Sequence, residues 1–341
     1  MQKILVGLSG GVDSAVSALL LIEQGYEVAC GYMINYLDEE NESCPTRIDL
    51  EEARRVAEYL ELPFYTFDYR EEYEKRIVDY IYTEYEKGRT PNPDVFCNNL
   101  VKFDLFLEEA LSLGFDGIAT GHYARTVEGK LLKGIDPIKD QSYFLSRLSS
   151  FQLAHALFPI GNIEKTQVRE IAEKAGLPNA KRKDSQGLCF IGKVSMKEFL
   201  ERRFPKKPGN ILDTTGKVIG IHEGAISYTI GQRRGIAIGG GPALVVIAKD
   251  TKNNTITVGT EEELSLFSSE CTISDWVGDI LEEGKIYNAK IRYRQADQIC
   301  TIKKGDSFLR ISFENPQRAI ASGQICVIYE GDRVVVSGVI V

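Results

Sequence analysis

A doubly wound parallel α/β sheet, followed by a small central domain and a C-terminal antiparallel β-barrel, is the fold class this 341-residue chain predicts. Three observations carry it. The first half alternates short β-branched runs with helical patterns, as parallel sheets built from βαβ units do. The first of those runs breaks into a glycine-rich turn that opens a helix. After about residue 205 the helical patterns give way to short strand-like runs joined by turns, the texture of a small antiparallel barrel.

Taken in order, Ile4–Leu8 reads as a buried strand. It runs into SGGVDS, residues 9–14, and then into a helix over Ala15–Gln24 closed by Gly25. A strand feeding such a turn aims unsatisfied backbone N–H groups at one spot, which suits a phosphate or pyrophosphate. Gly10 and Gly11 allow close approach, and Ser9 and Ser14 add hydroxyl donors. Asp13 stands against that reading, since a carboxylate repels phosphate; a bridging Mg²⁺ or a structural job in the turn removes the conflict. The spelling is neither G-x-x-x-x-G-K-[ST] nor G-x-G-x-x-G.

Further strands are expected at Val28–Ile34, Phe64–Phe67 and Gly117–Thr120, and helices at Leu50–Leu60, Glu71–Glu86 and Val101–Leu113. Ligands of such sheets bind outside the carboxyl ends of the strands, where the glycine loop and Gly121-His122-Tyr123 both fall. Helices starting at Ser149–Gln152 and at Lys165, the latter ending at Gly176, form an extension. Pro205, Pro208 and Gly209 mark a linker. Strands at Lys217–Ile221, Ala243–Ala248 and Thr255–Val258 make a central domain. Five more, Lys285–Arg294, Gln298–Ile302, Phe308–Phe313, Gln324–Tyr329 and Val334–Val341, make the barrel. The expected boundaries are 1–204, 205–264 and 265–341. There is no internal repeat and no low-complexity tract.

No apolar run approaches a membrane span, and the N-terminus lacks a signal-peptide layout, so the expected location is the cytoplasm. Seven widely spaced cysteines with no C-x-x-C pair argue against a disulfide framework and a zinc ribbon. The net charge of −8 is a weak argument against nucleic acid, because the charge is segregated. Acidic pairs cluster early. Basic ones, such as Lys181-Arg182-Lys183, Arg202-Arg203, Lys206-Lys207 and Arg233-Arg234, cluster in the middle. Each alone is a solvated face; together they permit a basic strip along a phosphate backbone.

Two cysteines sit in unusual settings. Cys97 follows GRTPNPD, residues 88–94, a segment stiffened by Pro91 and Pro93. A helix beginning near Asn98 would stabilise its thiolate, while burial as a small hydrophobe is the alternative. Cys189 sits in KDSQGLCFIG, residues 183–192, close to three cations. Cys30, Cys300 and Cys326 lie in strand-like runs and read as core. His155, His222 and Trp276 read as structural. The TIGQRRG turn, residues 229–235, favours a phosphate contact.

Together these segments give the chain its resemblance. It resembles the tRNA-specific 2-thiouridylases (the MnmA family) almost end to end. The matching pieces are GLSGGVDS (7–14), GRTPNPD (88–94) with Cys97-Asn98, ATGHYA (119–124) and KDQSYFL (139–145). FPIG (158–161), KDSQGLCFIG (183–192), TIGQRRG (229–235) and IRYRQ (291–295) complete the set. Other enzymes of the ATP pyrophosphatase superfamily share only the first, so eight in order are specific.

The resemblance implies a pyrophosphate-loop ATP pyrophosphatase sheet as the nucleotide-binding and catalytic domain, with a tRNA-binding barrel. It implies an ATP site at Gly7, Leu8, Ser9, Gly10, Gly11, Val12, Asp13 and Ser14, with Met33 and Gly121 near the adenosine. It implies target-base contacts at Asn92, Pro93 and Asp94, with Asp94 also suited to proton transfer. Cys97 resembles the family's nucleophile and Cys189 its persulfide carrier, a pair that can form a disulfide after sulfur delivery. His122, Lys139, Asp140, Gln141, Arg292, Tyr293 and Gln324 match positions that contact tRNA. Mg²⁺ with ATP, and a persulfide-donating sulfur carrier protein, are the implied companions; no protein metal site is implied. The loop Asn35–Ser43 matches loosely, and Gln186 stands where some relatives carry Thr. The implied activity is replacement of the 2-oxygen of the wobble uridine by sulfur.

Three rivals make different demands. A metabolite-adenylating enzyme needs neither the paired thiols nor a tRNA barrel. A tRNA-binding regulator without turnover does not need an intact loop. An iron–sulfur cluster on Cys97 and Cys189 wants three or four thiolates, and no such grouping is visible.

Overall fold

The computed structural model describes residues 1–37, 44–183, 195–236, 238 and 242–341. Contacts divide the chain into two units. The first comprises Met1–Val78, Pro93–Val194 and Asp332–Val334; the second comprises Asp79–Asn92, Ser195–Gly331 and Val335–Val341.

The first unit holds the parallel sheet. Its strands β1 (Lys3–Gly7), β2 (Glu27–Ile34), β3 (Phe64–Asp68) and β4 (Gly117–Ala119) are joined by a short strand at Ala156–Leu157. The order is β3, β2, β1, β4, then Ala156–Leu157, and every pairing is parallel. The order reverses between β1 and β4, so their carboxyl ends form the switch-point crevice where such sheets bind ligands. Helix α1 (Val12–Glu23) buries Val12, Ala15, Val16, Ala18 and Leu21 against the sheet. Helix α2 (Pro45–Tyr59) has its proline in the first turn, where no N–H is needed, and buries Ala53, Val56 and Ala57.

Several elements carry weak sequence signals. The hairpin Ala124–Val127/Lys130–Lys133 turns at Glu128 and Gly129, both at positive φ, a turn spelled Glu-Gly rather than the usual Asn-Gly. The helix expected from Ser149 starts there, with a full capping box between Ser149 and Gln152. A helix at Lys165–Lys174 is followed by Gly176 at φ +67°.

The second unit holds two β modules. In the central one the order is Val245–Asp250, Thr255–Gly259, Gly209–Leu212, Val218–His222. Gly209, read as linker from its two neighbouring prolines, heads a strand instead: it pairs with His222. The barrel has six strands rather than five. Phe267–Gly278, absent from the expectation, pairs with both Leu309–Arg318 and Arg333–Ile340 and closes the ring. Its sequence, FSSECTISDWVG, is polar at the start and alternates poorly because its first four residues are exposed. Cys271, Cys300 and Cys326 fill the barrel core as small hydrophobes. Trp276 packs against the same core. No helix among the described residues is long and apolar enough to cross a membrane.

Candidate active site

The turn after β1 is held by its own side chains. Ser14 Oγ accepts from Ser9 N at 3.1 Å and donates to Gly11 O at 3.1 Å, and Ser17 Oγ donates to Asp13 O at 2.8 Å. Gly11 caps α1 in extended conformation with no side-chain bond to the helix. The first-turn N–H groups have no intrahelical acceptor, the arrangement that suits an anion. Gly10 has φ +75°, and a Cβ there would lie 2.6 Å from Asp49 O, so only glycine fits.

Residues far along the chain hold the turn from outside. Asn179 Nδ2 and Arg182 Nη1 each donate to Gly10 O at 2.9 Å, and Arg182 also pairs with Asp49. Burial raises the Asp49 carboxyl above the usual range, and the Arg182 guanidinium opposes that rise. Arg182, counted in the sequence as part of a basic strip, is therefore spent inside the loop. Asp13 is also occupied. Both its oxygens accept from Lys165 Nζ, at 2.7 and 2.9 Å, and Oδ1 accepts from Tyr123 OH at 2.8 Å. Lys165, Asn179 and Arg182 were not singled out as loop residues by sequence; only tertiary contact brings them there.

The exit of β4 makes the second wall. A Cβ on Gly121 would lie 2.6 Å from Ser14 N, so the two turns touch backbone to backbone. Met33 is buried at the end of β2, its methyl against Gly7. His122 is buried between Phe103 and Phe158, with Nδ1 2.8 Å from Thr120 Oγ1. Burial, helped by Lys102, holds its pKa well below the ordinary histidine value.

From Tyr123 a chain of bonds leads to Asn98, the residue after Cys97. Gln141 Oε1 accepts from Tyr123 N at 3.0 Å. Asp140, buried, accepts from the backbone of Gly134 and Ser142 and from the Ser142 hydroxyl, and so shapes the turn that carries Lys139 and Gln141. Three residues on, Phe144 O accepts from Asn98 Nδ2 at 3.2 Å. Asn99 is tied in the same way to Arg147 O and Gln152. Cys97 precedes Asn98 and is fully buried.

The helix here differs from expectation. It begins at Pro93, not near Asn98: Pro93–Cys97 is α-helical and Asn98–Leu105 continues as a π-helix. Pro93 has no N–H to lose at the first position, which is why helix starts there. Cys97 thus lies inside helix, and the N-terminal stabilisation of its thiolate does not apply. Asp94 sits in the first turn. The π-helical segment, a rare form that recurs at functional sites, follows directly on the thiol.

In the second unit, Gln324 Nε2 donates to Thr90 O at 2.8 Å and Pro91 O at 3.2 Å, just ahead of Asn92. Arg292 and Tyr293 lie between the strands Tyr287–Lys290 and Gln298–Lys304, Arg292 exposed and donating to Arg318 O at 3.0 Å. Cys189 and its segment lie outside the described residues. Among the described residues no group of three or more His, Cys, Asp or Glu side chains is placed to hold a metal, and Asp13 is engaged by Lys165 and Tyr123. The described residues do not fit a protein-held Mg²⁺.

Comparison with known proteins follows the same divisions. The tRNA methyl transferase HUP domain family matches residues 2–193. The tRNA methyl transferase PRC-barrel domain matches 197–260, and the aminomethyltransferase beta-barrel domain matches 270–340. The chain is 45% identical over 354 aligned positions to the tRNA-specific 2-thiouridylase MnmA of Pseudomonas syringae pv. syringae (strain B728a), covering 100% of this chain and 94% of that protein. It is 44% identical to the protein of the same name from Pseudomonas aeruginosa (strain PAO1), covering 99% and 94%. It is 45% identical to that of Pseudomonas fluorescens (strain SBW25), with the same coverage.

Proposed function

The chain belongs to the tRNA-specific 2-thiouridylase family, and from that premise we propose that it is an ATP-dependent sulfurtransferase that makes 2-thiouridine at the wobble position of tRNA. The observation that carries the reading is the unbroken series of contacts, in one unit, from Asp13 through Tyr123, Gln141 and Phe144 to Asn98, next to Cys97. A phosphate cradle and a thiol on one scaffold suit adenylation followed by sulfur attack. The matching domain families carry a methyl transferase description, but methyl transfer uses neither a pyrophosphate loop nor a thiol pair.

The chemistry follows from the substrate. A uracil 2-carbonyl is a poor electrophile with a poor leaving oxygen. That oxygen attacks the α-phosphorus of ATP, the bond to the bridging β-phosphate oxygen breaks, and N3 releases its proton. Asp94, in the first turn of the Cys97 helix, is the group we assign to that proton. The loop at Gly7, Leu8, Ser9, Gly10, Gly11, Val12, Asp13 and Ser14 binds the phosphates and stabilises the departing pyrophosphate, with Met33 and Gly121 at the adenosine. A terminal persulfide sulfur on Cys189 then attacks C2, and the C2–O bond breaks to release AMP. Cys97 attacks Cys189 Sγ, the sulfur–sulfur bond to the base breaks, N3 regains its proton, and a Cys97–Cys189 disulfide remains for a thiol reductant to reopen.

The target base must leave its stack to be reached, with Asn92, Pro93 and Asp94 as its pocket. Lys139, Gln141, Arg292 and Tyr293 are assigned to contact with tRNA; the buried His122 and Asp140, and Gln324 on the carbonyls of Thr90 and Pro91, are assigned to positioning the segments beside them. Mg²⁺ enters with ATP, the persulfide comes from a sulfur carrier protein, and the reaction belongs in the cytoplasm. The division into 1–204, 205–264 and 265–341 completes the proposal.

The test is incubation with ATP, Mg²⁺, a persulfide-loaded sulfur carrier protein and unmodified tRNA, followed by mass spectrometry of the digested RNA. Thiolated uridine from wild type and none from Cys97→Ser is expected. AMP released on a small molecule without thiolated base would refute it in favour of a metabolite-adenylating enzyme.

A further inference from the structure

We propose that the TIGQRRG turn of the central module binds phosphates of the tRNA backbone through Arg233 and Arg234, as one surface with the Arg292 loop of the barrel. The inference rests on the tRNA reading above and adds two contacts that it does not contain.

Most of the basic strip expected from sequence is neutralised in the fold. Arg182 pairs with Asp49, and Arg203 with Asp79 at 3.2 Å. Lys206 meets Glu223 at 3.1 Å and Glu201 at 3.8 Å. The two arginines of the turn differ. Arg234 is exposed and has no carboxylate partner among the described residues. Arg233 Nη1 lies 3.1 Å from Glu261 Oε1, but the same oxygen lies 3.6 Å from Arg318 Nη2, so two guanidiniums share one carboxylate. Glu262 and Glu263, next in the chain, form no ion pair with either arginine of the turn. Arg233 keeps 58% of its side chain exposed, and a pair so open to water adds little stability.

The turn itself is rigid. Gly231 N donates to Val246 O at 2.7 Å, and Val246 N donates to Gln232 O at 3.0 Å. The Gln232 side chain accepts from Thr229 N at 3.1 Å and donates to Arg234 O at 2.8 Å. Tyr228 OH donates to Gly235 O at 2.9 Å. Arginines on a fixed backbone lose less freedom on meeting a phosphate, and the planar guanidinium matches its oxygens in pairs.

The turn is also seated on the barrel. Gly231 has φ +84°, and a Cβ there would lie 2.6 Å from Ala319 Cβ. Ala319 is held at φ +55°, a costly conformation for a residue with a Cβ, and is buried with Val245 and Leu266. The neighbouring Arg318 O accepts from Arg292 Nη2 at 3.0 Å, and Gln295 Nε2 donates to Gln317 Oε1 at 2.6 Å. The loop that carries Arg292 and Tyr293 is therefore bonded to the same strand end on which the turn rests. Phosphate contacts spread over both modules fix the register of an RNA helix without reading its bases.

The measurement is tRNA binding by the full chain across a series of salt concentrations, with thermal unfolding of the RNA-free chain beside it. Arg233→Gln with Arg234→Gln should weaken binding about 10- to 100-fold at about 0.1 M salt. The slope of log affinity against log salt should shrink by about 1.4–1.8, the share of two phosphates. The melting temperature should stay at the wild-type value. Arg233→Lys with Arg234→Lys should keep the wild-type slope, and so should Lys206→Gln, whose charge is already paired. A Gln pair with wild-type slope and affinity would overturn the proposal. So would a loss of binding that only follows a lowered melting temperature, or a slope that shrinks as much in Lys206→Gln. A wild-type chain that binds no tRNA at any salt concentration would instead refute the tRNA reading, and this inference with it.

Discussion

Gln324 offers the sharpest separation between holding the protein together and holding RNA. Its side-chain amide donates to two carbonyls, Thr90 O and Pro91 O, at 2.8 and 3.2 Å. The same segment is gripped by neighbours: Thr90 N donates to Ser322 O at 2.8 Å, and a Cβ on Gly323 would lie 3.0 Å from the Thr90 backbone. The Thr90 hydroxyl lies 3.2 Å from that of Thr229. Asn92, assigned to the target base, follows two residues later. Gln324→Leu keeps most of the volume and removes both donors. Two neutral hydrogen bonds at about 1 kcal/mol each give a loss of about 2 kcal/mol. For a unit of this size that lowers the melting temperature by about 4–8 °C. Gln324→Glu should be worse by about a further 1 kcal/mol, because carboxylate oxygens would face two carbonyl oxygens. The assay is thermal unfolding of the RNA-free chain beside tRNA binding at one fixed salt concentration. Weaker tRNA binding should accompany the lost stability. If Gln324→Leu unfolds with the wild-type midpoint but binds tRNA less tightly, the amide acts on RNA directly and the clamp argument fails.

Other outcomes follow from the same geometry. Gly121→Ala sets a methyl 2.6 Å from Ser14 N, and overpacking against backbone costs about 1–3 kcal/mol, so ATP affinity should fall about tenfold by calorimetry. Unchanged affinity would remove the β4 exit from the site. His122 is buried with a pKa far below its ordinary 6.5, so the unfolded chain takes up a proton that the folded ring refuses. Stability should be full above pH 6.5 and decline as the pH falls below it toward the folded-state value. His122→Gln should flatten that decline in urea unfolding at pH 7.5 and 5.0, leaving the part due to His222, which burial also depresses. An unaltered slope would mean that His122 is protonated in the fold.

Local patterns carried much of the architecture. β-branched runs at β1 and β2 can bury both faces only in a covered parallel sheet, and the SGGVDS turn has the backbone freedom an anion cradle needs. Ser149 with Gln152 spells its own helix start. Where the signal was tertiary, sequence reading fell short. Phe267–Gly278 is half exposed, so its alternation is blurred, and only ring closure makes it a strand. Gly209 follows two prolines and looks like linker until His222 pairs with it.

The site divides in the same way. Motif spelling alone was enough to mark the loop turn, the Cys97 segment and the family, because local residue order distinguishes those stretches. Which charges face the loop was decided only by folding. Lys165 lies 152 residues from Asp13, and Arg182 lies 172 from Gly10. Nothing in the local sequence of either marks it as a loop partner, because an ion pair is set by distance in space and a desolvated setting, and both come from packing.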